Sequence, residues 1–101
     1  MAEARVEVAA SASSSVSVVG DVLTIAIDEN ATTGYRWDPV AVDPALERLD
    51  DELVLPDGAA IGAAGRRRLR FRIRGTGRVE LVLRRSWTPE EIVDRLVVRV
   101  E

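Results

Sequence analysis

The sequence predicts an all-β fold built from two packed antiparallel sheets. Three observations carry that reading. Apolar residues recur with a period of two in one run after another, turn residues fall between the runs, and no long run has helical spacing. The 101 residues suit one domain spanning 1–101. Apolar residues make up 47% and charged residues 31%, a globular balance rather than a disordered one.

The strands follow in order. Val6, Val8 and Ala10 alternate with polar or charged neighbours and form a first strand. The polar stretch Ser11–Ser15 reads as a loose crossover, so residues 1–15 hold that strand and the passage to the next. Val16–Val19 and Val22–Ile27 flank Gly20-Asp21, a two-residue hairpin signal. Asn30–Gly34 then separates the Leu23–Asp28 strand from a short Tyr35–Asp38 strand. Asp43-Pro44 is expected to cap a single helical turn carrying Leu46 and Leu49. Pro56–Gly65 reads as a Gly/Ala-rich loop with little to bury.

Leu69, Phe71 and Ile73 alternate with Arg68, Arg70, Arg72 and Arg74. Gly75-Thr76-Gly77 joins that strand to Arg78–Arg84, where Val79, Leu81 and Leu83 repeat the alternation. Ser86–Glu91 is a break. Within it Thr88-Pro89-Glu90-Glu91 has a capping residue, Pro at the first helical position and Glu three residues after the cap, enough for one turn. Leu96, Val98 and Val100 close the chain. Five or more half-buried strands in so short a chain argue for a sandwich.

Composition excludes several functions. Cysteine and histidine are both absent. No disulfide, thiol nucleophile, Cys/His zinc site or Ser-His-Asp triad can form, and no cofactor is implied. No apolar run reaches the ~18 residues of a membrane span. Met1–Val8 alternates charge with apolar residues, so no signal peptide is visible. The chain reads as cytoplasmic as it stands, or as periplasmic or secreted if an export segment was removed. A monomer is expected.

All 14 basic residues are arginine, and nine lie between Arg66 and Arg85 against the single acid Glu80. Such local basicity can mark a nucleic-acid face. The stripe has no interleaved aromatics on its polar side, and the net charge is −3, so a solvated strand face is the reading here and no nucleic-acid partner is assigned. Asp50, Asp51 and Glu52 are adjacent, as are Glu90 and Glu91. Adjacent acids in turns are ordinarily solvated or capping. With no histidine or metal motif beside them, the chain is not read as an enzyme.

Three segments remain as a candidate site. Asn30-Ala31-Thr32-Thr33-Gly34 is a turn opened by Asn, holding two hydroxyls and ended by Gly, followed by Tyr35-Arg36-Trp37 on a strand. Tyr35 and Trp37 fall on one face, and Trp37 reads as core. Gly62-Ala63-Ala64-Gly65 leaves bare backbone that another surface can approach. Arg85-Ser86-Trp87 places a large aromatic in a polar turn, where Trp and Arg often anchor interfaces.

Taken together these segments resemble the chagasin-type inhibitors of cysteine peptidases. That family has a Gly-Asp turn and apolar strand, then Asn-Pro-Thr-Thr-Gly-Tyr-x-Trp, a Gly-x-Gly-Gly loop, a strand pair, and Arg-Pro-Trp or Arg-Pro-Phe. The resemblance covers roughly residues 16–101. Thr-Thr-Gly-Tyr-x-Trp after an apolar strand is its specific part. Ala31, Ala64 and Ser86 stand where the family has Pro, Gly and Pro.

The resemblance implies an immunoglobulin-like antiparallel β-sandwich with loops 29–34, 57–66 and 85–91 side by side at one end. It implies a reversible, non-covalent, competitive inhibitor whose partner is a papain-like cysteine peptidase. Thr32 and Thr33 would sit near the enzyme's Cys and His while the flanking loops grip the cleft walls. Trp87 would pack on an aromatic wall, and Arg85 would support its rim. The alternative is an immunoglobulin-like recognition module that has kept the fold and binds a different partner.

Overall fold

The computed structural model describes residues 2–55 and 65–101. Its strands are β1 (Ala4–Val8), β2 (Ser14–Val19), β3 (Val22–Glu29), β4 (Tyr35–Val42), β5 (Leu46–Val54), β6 (Gly65–Ile73), β7 (Gly77–Arg85) and β8 (Asp94–Val100), with a 3₁₀ turn at Ala31–Thr33. They form two four-stranded antiparallel sheets, ordered β1-β8-β7-β4 and β2-β3-β6-β5. These are the two packed antiparallel sheets that the alternation predicts, arranged as the immunoglobulin-like sandwich that the resemblance implies.

The inward set of each strand builds the core. Leu23, Ile25 and Ile27 of β3 and Leu69 and Phe71 of β6 meet Val79, Leu81, Leu96 and Val98 of the facing sheet, all fully buried. Trp37 joins them from β4 at 1% exposure, and its indole N–H donates to the Asp28 carbonyl at 3.1 Å. A buried indole with its one donor satisfied is a stable core element.

Two predicted caps are corrected. Asp43-Pro44 caps no helical turn. Residues 44–45 make a turn between β4 and β5, and Leu46 and Leu49 lie on the nine-residue strand β5. A bulge between Arg48 and Asp50 explains the misreading. It inserts one residue into the pleat, so the leucines fall at spacings that imitate a helix. Asp50, Asp51 and Glu52 are therefore mid-strand residues rather than members of a turn. Thr88 also does not act as a side-chain cap. Its Oγ1 has no partner, and the single turn is closed by the Glu91 N–H donating to the Thr88 carbonyl at 3.0 Å.

β6 runs between β3 and β5, and its outward arginines are matched from both sides. Arg66 pairs with Asp28 at 2.7 Å, Arg72 with Asp21 at 3.6 Å and Arg74 with Glu47 at 2.6 Å. Arg68 pairs with Glu52, and Arg70 with Asp50. Hydrogen bonds from Arg74 and Arg70 hold the carboxyls of Glu47 and Asp50 below their ordinary range. Exposed pairs of this kind add little stability each. Their effect here is to neutralise the stripe, which leaves no run of free cations for a phosphate backbone. The acids of β5 each face a different arginine and do not converge on one another.

The inner face of the β2-β3-β6-β5 sheet turns polar toward the end that carries Asn30. Glu29 is 3% exposed and Arg67 is 8% exposed. Arg67 donates to Glu29 Oε2 at 2.6 Å and to Asp51 Oδ1 at 3.1 Å, and Arg48 completes the group by donating to Asp51 Oδ2 at 2.7 Å. Glu29 Oε1 accepts the Trp37 backbone N–H at 2.6 Å, so a carboxylate of one sheet satisfies an edge donor of the other. Burial opposes the charge on Arg67, but the bonds and charges of Glu29 and Asp51 outweigh it and raise its pKa. Glu29→Ala would leave the buried guanidinium with Asp51 as its one carboxylate partner and strip the Trp37 N–H of its acceptor, and should cost about 3 kcal/mol, read from the urea midpoint.

The crossover after β1 is tied down at Asp94, which accepts the Ser11 N–H at 3.0 Å and the Ser11 hydroxyl at 2.7 Å. Burial raises the Asp94 pKa. The Ser11 hydroxyl and backbone N–H groups of Arg95, Ser11 and Ala12 outweigh that and leave it lowered. A depressed folded pKa contributes stability above the unfolded value of about 3.9, and this is lost as pH falls through the folded value. Asp94→Asn should therefore be less stable than the parent at pH 7. The gap should close as pH falls through the depressed folded value, as read in paired urea titrations.

Candidate functional site

Sequence places Asn30–Gly34 at the turn between β3 and β4, and the structure shows how that turn is closed. Asn30 Oδ1 accepts the Thr32 backbone N–H at 3.0 Å and the Thr32 hydroxyl at 2.6 Å. The Asn30 carbonyl accepts the Thr33 hydroxyl at 2.8 Å and the Thr33 N–H at 3.3 Å. Thr33 Oγ1 in turn accepts the Tyr35 N–H at 3.2 Å. Both hydroxyl protons are thus spent inside the turn, while Thr32 and Thr33 stay exposed. Ala31 contributes backbone to the 3₁₀ turn.

Gly34 ends the turn at φ 79°, a left-handed conformation that disfavours any side chain. Space forbids one as well, because a Cβ there would collide with the Trp87 indole. The first and third segments are therefore packed against each other. β4 and β7 pair Tyr35 with Arg85, and the Arg85 guanidinium lies over the Tyr35 ring at 4.3 Å and near the Trp87 ring at 5.6 Å. Tyr35, Arg85 and Trp87 form a stack beside Gly34. Trp87 remains 66% exposed, and Ser86 is exposed beside it. The two tryptophans thus part company: Trp37 is core, and Trp87 is surface.

Of the second segment, Gly62, Ala63 and Ala64 lie outside the described residues. Gly65 differs from expectation. It is the first residue of β6, is buried, and pairs with Glu29. A Cβ on it would meet Leu55 at 2.9 Å, the Val54 carbonyl at 3.0 Å and Leu53 at 3.1 Å. Its bare backbone lets the end of β5 cross close by, so it serves internal packing rather than an open contact surface. Through the Glu29–Gly65 pair, the last residue before the first turn sits beside the strand that leaves the second loop.

The arrangement offers a firm edge rather than a cavity. A hydrogen-bonded turn with exposed Thr32 and Thr33 stands next to an exposed indole backed by a guanidinium, above the buried Glu29–Arg67 pair and the half-buried Asp51. Three members escaped the sequence reading: Tyr35 as part of the stack, and Glu29 and Arg67 as the brace below. Alternation holds the missed signal, because Glu29 continues the inward set Leu23, Ile25, Ile27 and Arg67 precedes the inward Leu69 and Phe71.

The family model described as chagasin family peptidase inhibitor I42 matches residues 16–100. No curated protein and no solved structure matches the chain.

Gly34→Ala should force the indole of Trp87 aside and strain the turn. The expected cost is about 1 kcal/mol or more, with a shift in tryptophan fluorescence while the far-UV circular dichroism stays that of the parent.

Proposed function

Because the chain belongs to the chagasin family of peptidase inhibitors, we propose that it is a reversible, non-covalent, competitive inhibitor of a papain-like cysteine peptidase. The single observation that carries the reading is the contact of Gly34 with Trp87, which joins the Thr-Thr-Gly turn and the aromatic turn into one exposed edge. Asn30, Ala31, Thr32, Thr33 and Gly34 form the part that enters the cleft. Arg85, Ser86 and Trp87 grip one wall. Gly62, Ala63 and Ala64 approach the other, with Gly65 supporting them from the strand.

No bond to the catalytic thiol is needed. With its hydrogen bonds already made, the turn loses little entropy on binding. Thr32 and Thr33 have donated their protons internally and so meet the enzyme as hydrogen-bond acceptors. That suits a cleft whose active pair carries a protonated imidazole. The closed turn resists being drawn out into the extended form that cleavage requires. A contact of ordinary size, about 800 Å² per partner, supports tight reversible inhibition.

The test is a titration against papain and a cathepsin L-type enzyme, following hydrolysis of a fluorogenic peptide. Substrate-competitive, reversible inhibition is expected, and its absence at micromolar folded protein would sink the reading. Trp87→Ala should weaken inhibition by about 2 kcal/mol or more, roughly 30-fold, with the melting temperature nearly unchanged. Trp37→Ala should instead cost about 3–5 kcal/mol of stability.

A further inference from the structure

Among the described residues the two sheets have four edges without a paired neighbour, β1 and β4 on one and β2 and β5 on the other. Three carry devices that oppose pairing with another chain. β1 has a bulge between Val6 and Val8 and the charges of Arg5 and Glu7. β4 has Pro39, which has no N–H to offer, and a bulge between Pro39 and Ala41. β5 has the bulge between Arg48 and Asp50 and five charged residues.

β2 has none of these. It reads Ser-Ser-Val-Ser-Val-Val, with no charge, proline or glycine, and its register with β3 is unbroken from Ser14 to Val19. Its inward residues Val16 and Val18 pack against the core yet remain only half-buried. Its last residue, Val19, is 77% exposed.

We propose that β2 is a self-association edge, at which a second copy of this chain pairs β2 to β2, antiparallel about a two-fold axis. The contact joins the two β2-β3-β6-β5 sheets into one continuous sheet. A second copy is the occupant because it brings what the edge lacks. Its own Val16 and Val18 arrive on the inward face, backed by their own sandwich, and cover the half-buried valines here. A lone extended peptide would supply the hydrogen bonds but no apolar layer behind them. An uncharged strand also meets itself without setting like charges opposite one another.

Six residues of pairing make a small contact, so the dimer is weak and concentration-dependent. The antiparallel arrangement has a consequence that rests on the proposed function. The two loop ends point in opposite directions, and each stays open to its own peptidase.

The experiment is sedimentation equilibrium of the full chain from about 10 µM to about 1 mM. The weight-average mass should climb from 11.0 kDa toward twice that value. Ser17 is exposed at the middle of β2, and Ser17→Lys should hold the mass at the monomer while circular dichroism stays as in the parent. Hydrogen exchange on the unmodified protein gives a second readout: β2 amides should gain protection with concentration while those of β1, β4 and β5 do not. A monomer mass throughout overturns the proposal, as does a dimer that survives Ser17→Lys or protection gained at another edge. None of these outcomes depends on the peptidase, so failure here is separable from failure of inhibition.

Discussion

A carboxylate and a guanidinium shut inside the sandwich govern how its loop end is built. Glu29 and Arg67 lie where alternation calls for apolar side chains, and removing both from water is costly. Exchanging such pairs for apolar residues often leaves stability unchanged or raises it, so the meaning of this pair lies in its geometry. Glu29 reaches across the sandwich to the backbone of Trp37, while Arg67 reaches along the sheet to Asp51 on the edge strand. One group thereby fixes the end of β3, the start of β4 and the middle of β5, three of the strands that border the loop end. A hydrophobic filling would have packed the same volume without setting those directions.

Strands with a regular pleat were legible residue by residue. Leu23 to Ile27 and Leu69 to Ile73 show their inward sets plainly, and Gly20-Asp21 marks the β2–β3 hairpin, whereas Gly75–Gly77, hairpin-like in sequence, instead carries the chain from one sheet to the other. β5 was not legible, because a bulge shifts its phase and it gives the core only one buried residue, Leu46. The candidate site was half legible. Its first and third segments carry distinctive residues, whereas their contact depends on a tertiary fact, the seating of an indole on a glycine. Glu29 and Arg67 could have been found by carrying the alternation one residue further and noticing opposite charges on the core face. The habit of assigning charge to solvent hid them.

The substitutions within the motifs become easier to understand against the turn's hydrogen bonds. Proline at position 31 would fix one φ angle. Here the Asn30 side chain and two threonine hydroxyls close the same turn from several sides, so its shape does not depend on that ring. At position 86 a serine sits exposed beside an indole held by Gly34, Arg85 and Tyr35. In both turns the fixing contacts come from other residues rather than from the substituted one: from chain neighbours in the first and from Gly34 across the sheet in the second.

The missing histidine has a physiological corollary. Histidine and cysteine are the side chains whose ordinary pKa values fall between pH 5 and 9, and this chain has neither. Among the described residues, the carboxyls that shift, Glu47, Asp50 and Asp94, shift away from that range. An acidic digestive vesicle and a neutral cytosol would therefore meet a ligand with no imidazole to switch. An acid-triggered release of a bound peptidase could not originate in an imidazole of this chain.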